Sequence, residues 1–156
     1  MEGVLRQANI GLHSLKAFEF FVEHLNDWWP KEYSWSQEAL EKIYMEPRRG
    51  GLCTEIGADG FRCDWGCIKQ YKPGELLSFY WQIGPDREPI PQKTKASLVT
   101  VEFFKKGNHR TALELRHERF EKYGSKAKSY RDAMNSSAGW KYILECYSTY
   151  CSENLE

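Results

Sequence analysis

Three residues of this sequence have side chains suited to acid–base chemistry in a binding cavity: His117, Glu46 and Glu55. His117 continues a row of alternating apolar residues, so a neutral imidazole there could hydrogen-bond a ligand. The ordinary alternative is a histidine satisfied by neighbouring backbone or by a carboxylate. Glu46 and Glu55 lie on adjacent predicted strands, and a carboxylate pair in an apolar cavity would have raised pKa values and could act as acid or base. Strict strand alternation favours a different arrangement, in which both carboxylates face solvent near Arg48 or Arg49.

The remaining reactive side chains do not form a recognisable catalytic or metal-binding pattern. Cys63 and Cys67 are four residues apart and Cys146 and Cys151 are five apart, whereas a zinc site needs tighter pairs. The four histidines show no H-x-x-x-H spacing, and the G-x-S-x-G motif is absent. Reduced, buried thiols are the ordinary reading of the five cysteines. We therefore expect neither a metal nor another cofactor, and we favour a binding protein over an enzyme.

Composition narrows the class of protein further. A length of 156 residues with 41% hydrophobic and 28% charged residues fits one domain, which we place at residues 1–154. The formal net charge of zero excludes a global attraction to nucleic acid or to an anionic membrane. No apolar run approaches the roughly 20 residues of a membrane span, and the first residues do not resemble a signal peptide, so we expect a cytoplasmic protein without membrane insertion. We set Leu155-Glu156 aside as a candidate remnant of an expression tag.

Turn signals and periodicity predict the elements that must position these residues. Strands are predicted at about 3–10, 42–47, 51–57, 61–71, 75–83, 96–106 and 109–119. A helix capped by Ser14 precedes Pro30, and a long final helix covers about residues 127–153. Gly139 falls inside that final helix, where we expect it to permit close approach to the sheet beside Trp140. The proline-rich loop at residues 84–94 is predicted to be held only at its ends.

This order of elements, together with a set of short motifs, resembles one known superfamily. The motifs are Trp28-Trp29-Pro30, Glu46-Pro47-Arg48-Arg49-Gly50-Gly51 followed by Glu55, Asp59-Gly60, Trp65-Gly66, Pro73, Trp81, His117 and Gly139-Trp140. The sequence resembles the SRPBCC or START-like superfamily, and within it the group similar to the activator of heat-shock-protein ATPase. The resemblance implies an α+β helix-grip fold: a curved antiparallel sheet of six or seven strands around a long C-terminal helix, with an N-terminal helix between the first two strands. It also implies a cavity between the sheet and that helix.

Alternation within the strands identifies the side chains that could line such a cavity. In the strand that contains Trp81, the inward row is almost wholly apolar, and Phe61, Cys63, Trp65 and Cys67 form a further candidate row that a bulge at Gly66 could interrupt. The predicted ligand-binding residues are Trp29, Trp65, Phe79, Trp81, Leu113, Leu115, His117, Trp140 and Tyr147. Aromatic rings in this number can hold an apolar ligand or can simply fill a core.

Three functions remain open on the sequence. The leading hypothesis is binding of a hydrophobic or amphipathic small molecule, with residues 84–94 and the start of the last helix as its entrance. The second is a cyclase or hydrolase that uses His117 with Glu46 or Glu55. The third, which comes only from the family resemblance, is a module that stimulates a chaperone ATPase and so has a chaperone partner.

Overall fold

Seven antiparallel strands form one curled sheet in the computed structural model, which describes residues 1–155. The strands are β1 (Val4–Ile10), β2 (Lys42–Met45), β3 (Leu52–Ile56), β4 (Arg62–Lys72), β5 (Leu76–Trp81), β6 (Ser97–Gly107) and β7 (Arg110–Glu118). Their spatial order is β1-β7-β6-β5-β4-β3-β2, so β2 to β7 form a continuous meander and β1 joins its far edge. Every strand prediction is therefore confirmed to within two residues at each end. The candidate tag remnant includes Glu156, which lies outside the described residues.

Helices cover the concave face of this sheet. Between the two edge strands the chain forms α1 (Ser14–Glu23) and α2 (Leu25–Trp28), and after β7 it forms α3 (Ala127–Met134) and α4 (Trp140–Glu153). Helix α4 buries Trp140, Ile143, Leu144, Tyr147 and Cys151. The hydroxyl of Tyr147 donates to the carbonyl oxygen of Ala17 at 2.6 Å, which joins α4 to α1. This arrangement is the helix-grip fold, and the predicted fold class is confirmed.

The final helix is interrupted where the sequence predicted continuity. Residues 135–139 separate α3 from α4, and Gly139 immediately precedes α4. A Cβ atom at Gly139 would lie 2.1 Å from the carbonyl oxygen of Met134. The glycine therefore permits close approach to the end of α3, and the prediction that it lies inside a helix against the sheet was wrong.

The start of α1 also differs by one residue from the prediction. His13 precedes the helix, and its Nδ1 accepts a hydrogen bond from the backbone N–H of Leu15 at 3.1 Å. Ser14 is the first helical residue, and His13 takes the capping role that the sequence analysis had assigned to Ser14. The helix breaks at His24 and α2 ends just before Trp29 and Pro30, in agreement with the inability of proline to continue a helix.

A bulge in β4 turns Trp65 toward the core. Thr54 pairs with Asp64 and Cys53 pairs with Gly66, so Trp65 is the extra residue between them. A Cβ atom at Gly66 would lie 2.7 Å from the carbonyl oxygen of Tyr80, which explains why this position carries no side chain. Of the four residues predicted to face inward, only Trp65 does so. Phe61 is 43% exposed, and Cys63 and Cys67 are only partly buried.

Candidate functional site

A groove of about 380 Å³ lies between the end of β5, the loop that follows it, and helices α3 and α4. Its lining residues are Trp29, Glu32, Tyr33, Trp81, Ile83, Gly84, Pro85, Arg87, Tyr130, Ala133, Met134, Ser136, Ala138, Gly139 and Ile143. The break between α3 and α4 contributes directly to this wall, because Ser136, Ala138 and Gly139 belong to it. The interrupted helix thus supplies part of the wall of the groove.

A smaller chamber of about 30 Å³ adjoins the groove. It is lined by Trp29, Tyr33, Ser34, Trp35, Ile43, Glu55, Trp65, Ile83 and Arg87. Trp29, Tyr33, Ile83 and Arg87 line both spaces. The two spaces therefore adjoin, and the volume of the chamber suits a single oxygen-sized group.

Packed tryptophan rings form the inner wall of both spaces. The rings of Trp29 and Trp65 stack with centroids 5.7 Å apart and planes 24° apart. Trp81 lies edge-on to Trp140 at 5.3 Å and also to Trp65 at 6.1 Å. Such offset and edge-to-face contacts stabilise aromatic clusters and restrict ring rotation. The wall is an aromatic surface on which a flat ligand could lie.

The loop after β5 is more firmly held than the sequence suggested. Ile83 and Pro89 form a short antiparallel bridge, and the backbone N–H of Gly84 donates to the backbone carbonyl oxygen of Glu88 at 2.7 Å. The indole N–H of Trp35 donates to the carbonyl oxygen of Arg87 at 2.6 Å. The prediction that this loop is held only by packing at its ends was wrong, because a small hairpin with its own hydrogen bonds closes it.

Two sets of contacts join this loop to α3 and to Lys126, the residue that precedes it. The hydroxyl of Tyr130 accepts a hydrogen bond from Trp81 Nε1 at 2.7 Å and donates to the carbonyl oxygen of Ile83 at 2.8 Å. Burial raises the pKa of Tyr130 well above its ordinary value, so the phenol stays neutral. At the rim, Lys126 forms an ion pair with Asp86, both side chains being more than half exposed. The Tyr130 contacts are partly buried, whereas the ion pair is accessible to water.

His117 lies beneath this wall and lines neither the groove nor the chamber. Its side chain is fully buried, its Nδ1 accepts from Trp140 Nε1 at 2.9 Å, and its Nε2 lies 2.7 Å from Ser97 Oγ. Its ring packs 4.3 Å from that of Phe120. Burial lowers the pKa of His117 to about 3. The predicted neutral imidazole is present, but both of its nitrogens are engaged by protein side chains.

Glu55 is 1% exposed, which corrects the prediction that it faces solvent. It pairs with Ile43 across the two strands, so the two side chains share the inward face of the sheet. One carboxylate oxygen accepts from the backbone N–H of Trp35 at 3.0 Å and the other accepts from that of Ser36 at 2.6 Å. The carboxylate therefore organises the segment before β2 and borders the small chamber.

Glu46 lies on the other side of the β2–β3 turn. It is part-exposed and accepts a hydrogen bond from the backbone N–H of Leu52 at 2.7 Å, which lowers its pKa, with a further contribution from Arg48. The predicted neighbourhood of Glu46 and Arg48 is present. None of the contacts made within residues 1–155 joins His117 to either glutamate, so the three candidate acid–base residues do not form one site.

The predicted ligand-binding residues divide into two groups. Trp29, Trp65 and Trp81 line the groove or the chamber. The other six are buried in the core and line neither space: Phe79, Leu113, Leu115, His117, Trp140 and Tyr147. Contact of any of these residues with a ligand stays a prediction.

Several lining residues were not assigned to the site from the sequence. Ile83 continues the inward row of β5 two residues after Trp81, and Tyr130 and Met134 recur at helical spacing in the predicted final helix, so periodicity carried a signal for them. Tyr33 ends a 3₁₀ helix of three residues, which is too short for periodicity to give information, and Arg87 lies in the 84–94 loop that the sequence analysis placed at the entrance. Within residues 1–155 no cluster of histidine, cysteine or acidic side chains could hold a metal ion, and no helix is long and apolar enough to cross a membrane.

The chain matches the model of one known protein family. The model for the family described as activator of Hsp90 ATPase homolog 1-like protein matches residues 18–146. The chain belongs to this family. A comparison with curated proteins found no significant match.

Solved structures extend these comparisons. An anthrahydroquino-γ-pyrone synthase, Txn09, described as complexed with SUM, shares 25% identity and a TM-score of 0.68, with 96% of each chain covered. The self-sacrificing resistance protein CalC from Micromonospora echinospora shares 22% identity and a TM-score of 0.66, with 97% of this chain and 95% of that chain covered. The protein MLL2253 from Mesorhizobium loti shares 16% identity and a TM-score of 0.69, with 99% and 100% covered. The last two support the fold alone.

Proposed function

We propose that this protein binds an amphipathic small molecule with a flat apolar body in the groove between the sheet and helices α3 and α4. The observation that carries the proposal is the groove itself, whose volume of about 380 Å³ falls within the range of small-molecule sites. Aromatic rings with few polar groups are the lining that such ligands require, because burial and stacking supply most of the binding free energy.

One charged side chain suggests the polar end of the ligand. Arg87 is exposed at the edge of the groove, and its guanidinium makes no ion pair with another residue of the described chain. A guanidinium in this position favours an anionic or strongly polar substituent that remains near water. The ligand would then lie with its rings against Trp29 and Trp81 and its polar end near Arg87.

The similarity to the anthrahydroquino-γ-pyrone synthase is consistent with this proposal, since that protein's description refers to a fused aromatic compound. We do not extend its reaction to this chain. Catalysis by His117 with Glu46 or Glu55 finds no support in the geometry, because the imidazole nitrogens are bonded within the core and the carboxylates bind backbone N–H groups elsewhere.

Binding of 1-anilinonaphthalene-8-sulfonate, an aromatic amphiphile, tests the proposal. We expect saturable binding to the folded protein, with quenching of tryptophan fluorescence. Replacement of Ala133, which lines the groove, by tryptophan should fill the space and weaken binding at least about tenfold, a change of about 1.4 kcal/mol. Ser129→Trp is the matched control, because Ser129 is exposed on the same helix and lines neither the groove nor the chamber.

Native mass spectrometry of protein purified without denaturation adds an independent measurement. A small molecule that is retained by the wild type and by Ser129→Trp, but is absent from Ala133→Trp, would support the proposal. Equal binding of the probe by both variants would contradict it. Stimulation of a chaperone ATPase by a protein that binds neither the probe nor a retained molecule would favour the interaction-module hypothesis instead.

A further inference from the structure

The six tryptophans differ in one property of their indole N–H groups. Four of them donate to protein acceptors: Trp28 to Phe20 O at 3.0 Å, Trp35 to Arg87 O at 2.6 Å, Trp81 to Tyr130 Oη at 2.7 Å and Trp140 to His117 Nδ1 at 2.9 Å. The indole N–H groups of Trp29 and Trp65 are buried and have no acceptor among the described residues. The two exceptions are therefore not typical of how this chain uses tryptophan.

Burial makes these two donors costly for the folded protein. Trp29 is 7% exposed and Trp65 is 2% exposed. A buried donor without an acceptor destabilises a protein by roughly 1–3 kcal/mol, and most buried donors in folded proteins are paired. Phenylalanine would supply an aromatic ring at either position without that cost. Two such donors on stacked neighbouring rings indicate that an acceptor arrives from outside the chain.

The place where an acceptor could arrive is the small chamber. Trp29 and Trp65 both line it, and its volume of about 30 Å³ accommodates one oxygen-sized group. Trp29, Tyr33 and Ile83 line the adjoining groove as well, so a group in the chamber can belong to a molecule whose body lies in the groove. The two spaces together can hold a flat ligand and one projecting oxygen.

The charge of the chamber selects the kind of oxygen. Glu55 borders the chamber with a carboxylate that is 1% exposed, whereas Arg87, which also lines the chamber, is exposed to solvent. An anionic oxygen there would therefore lie beside a buried negative charge, while water would weaken its attraction to the guanidinium. A neutral carbonyl oxygen accepts hydrogen bonds without this repulsion. An anionic substituent would instead lie at the exposed Arg87 side of the ligand.

We propose that the chamber between Trp29 and Trp65 is a carbonyl-binding subsite, which places the ligand among planar aromatic ketones or quinones. The inference rests on the proposed function of the groove and specifies its ligand. One or both indole N–H groups donate to the carbonyl oxygen when the ligand is bound.

Two probes of matched shape and charge test this proposal: anthraquinone-2-sulfonate and anthracene-2-sulfonate. They differ in the two ring carbonyls and share the anionic group and the three fused rings. Because a net hydrogen bond changes binding by a factor of a few to about tenfold, we expect the quinone to bind about five- to tenfold more tightly. In Trp29→Phe, in Trp65→Phe or in both, the ratio of the affinity for the quinone to the affinity for the hydrocarbon should fall toward one. Trp28→Phe, the control, should leave the ratio unchanged, because the N–H of Trp28 is already bonded to Phe20.

Nuclear magnetic resonance supplies a direct readout of the donors. In ¹⁵N-labelled protein, the quinone should shift the indole cross-peaks of Trp29 or Trp65 downfield, and the hydrocarbon should not. Equal affinities for the quinone and the hydrocarbon, or equal indole shifts with both, would overturn the carbonyl subsite. If anilinonaphthalenesulfonate still bound, the proposed function of the groove would stand. Failure of all three probes to bind would overturn both.

Discussion

Trp140 Nε1 donates to His117 Nδ1 across 2.9 Å, and this bond decides which nitrogen of the histidine carries its proton. An indole N–H can only donate, so Nδ1 must be unprotonated and Nε2 must carry the hydrogen. From Nε2 the chain continues to Ser97 Oγ at 2.7 Å and then to Tyr123 Oη at 2.7 Å. Tyr123 donates to the carbonyl oxygen of Trp81 at 2.9 Å, which can only accept. The two ends fix the direction of every hydrogen bond between them.

Replacement of His117 by glutamine should destabilise the protein, because one amide cannot reach both Trp140 and Ser97. We expect a loss of about 2–3 kcal/mol in the free energy of unfolding, measured by urea denaturation at pH 7.5. His109→Gln, at an exposed position, should change it by less than about 0.5 kcal/mol. A loss below about 1 kcal/mol at His117, with weakened ligand binding, would restore the role in ligand contact that the sequence suggested.

The lowered pKa of His117 predicts a dependence of stability on pH. The folded protein holds this histidine neutral down to a pKa of about 3, whereas in the unfolded chain it titrates near 6.5. Between these values the unfolded state binds more protons, so this contribution is fully present above about pH 6.5 and is lost as the pH falls toward 3. Urea unfolding between pH 6.5 and 5, where most carboxylates stay ionised, should show a steeper decrease for the wild type than for His117→Gln. Parallel pH profiles would contradict the assignment.

Replacement of Glu55 by glutamine should weaken the packing of the segment that precedes β2. An amide has only one acceptor oxygen, so either the Trp35 or the Ser36 N–H would face an NH₂ group. We expect a loss of about 2 kcal/mol in unfolding free energy, since hydrogen bonds to a charged group contribute about 1.5–3 kcal/mol. Glu38→Gln is the control, because Glu38 is exposed nearby. Equal stability of the two variants would show that the carboxylate charge is dispensable.

Gly139→Ala should distort the junction between α3 and α4. The new methyl group would collide with the backbone of Met134, and relief requires the two helices to move apart. We expect a loss of about 1–3 kcal/mol in unfolding free energy and weaker binding of a groove probe. Gly107→Ala is the matched control, since a Cβ atom there meets nothing within 4 Å and its φ is not positive. Unchanged stability in both variants would mean that the junction relaxes freely.

The ion pair of Lys126 and Asp86 should modulate opening at the rim of the groove. Both side chains are more than half exposed, so Asp86→Asn should have a small effect on global stability. Hydrogen exchange of residues 84–90 should accelerate about two- to fivefold, and added salt should reduce the difference. Asp132→Asn, which removes an exposed pair with Lys128 within α3, is the control. Identical exchange in the two variants would show that the hairpin hydrogen bonds alone hold the loop.

The hydrophobic pattern accounts for the parts of the site that lie on regular strands. Trp81 and Leu115 were assigned to the inward face by strand alternation, and both are buried there. Glu55 was assigned to the outward face because it alternates with Leu52, Thr54 and Ile56, whose row was taken as the inner one. Its pairing with Ile43 settled the matter, and a pairing register is a property of two strands rather than one.

The amino-acid sequence by itself determined the order of elements, the family and the aromatic character of the interior, because turn residues and side-chain periodicity act over short distances along the chain. The tertiary structure alone decided that the last helix breaks before Gly139, that His117 is bonded between Trp140 and Ser97, and that Trp29 and Trp65 keep unpaired N–H groups beside one chamber. Each of these depends on atoms from segments far apart in the sequence. A hydrogen-bond partner or a steric contact at that separation has no periodic signal, so only the folded geometry reveals it.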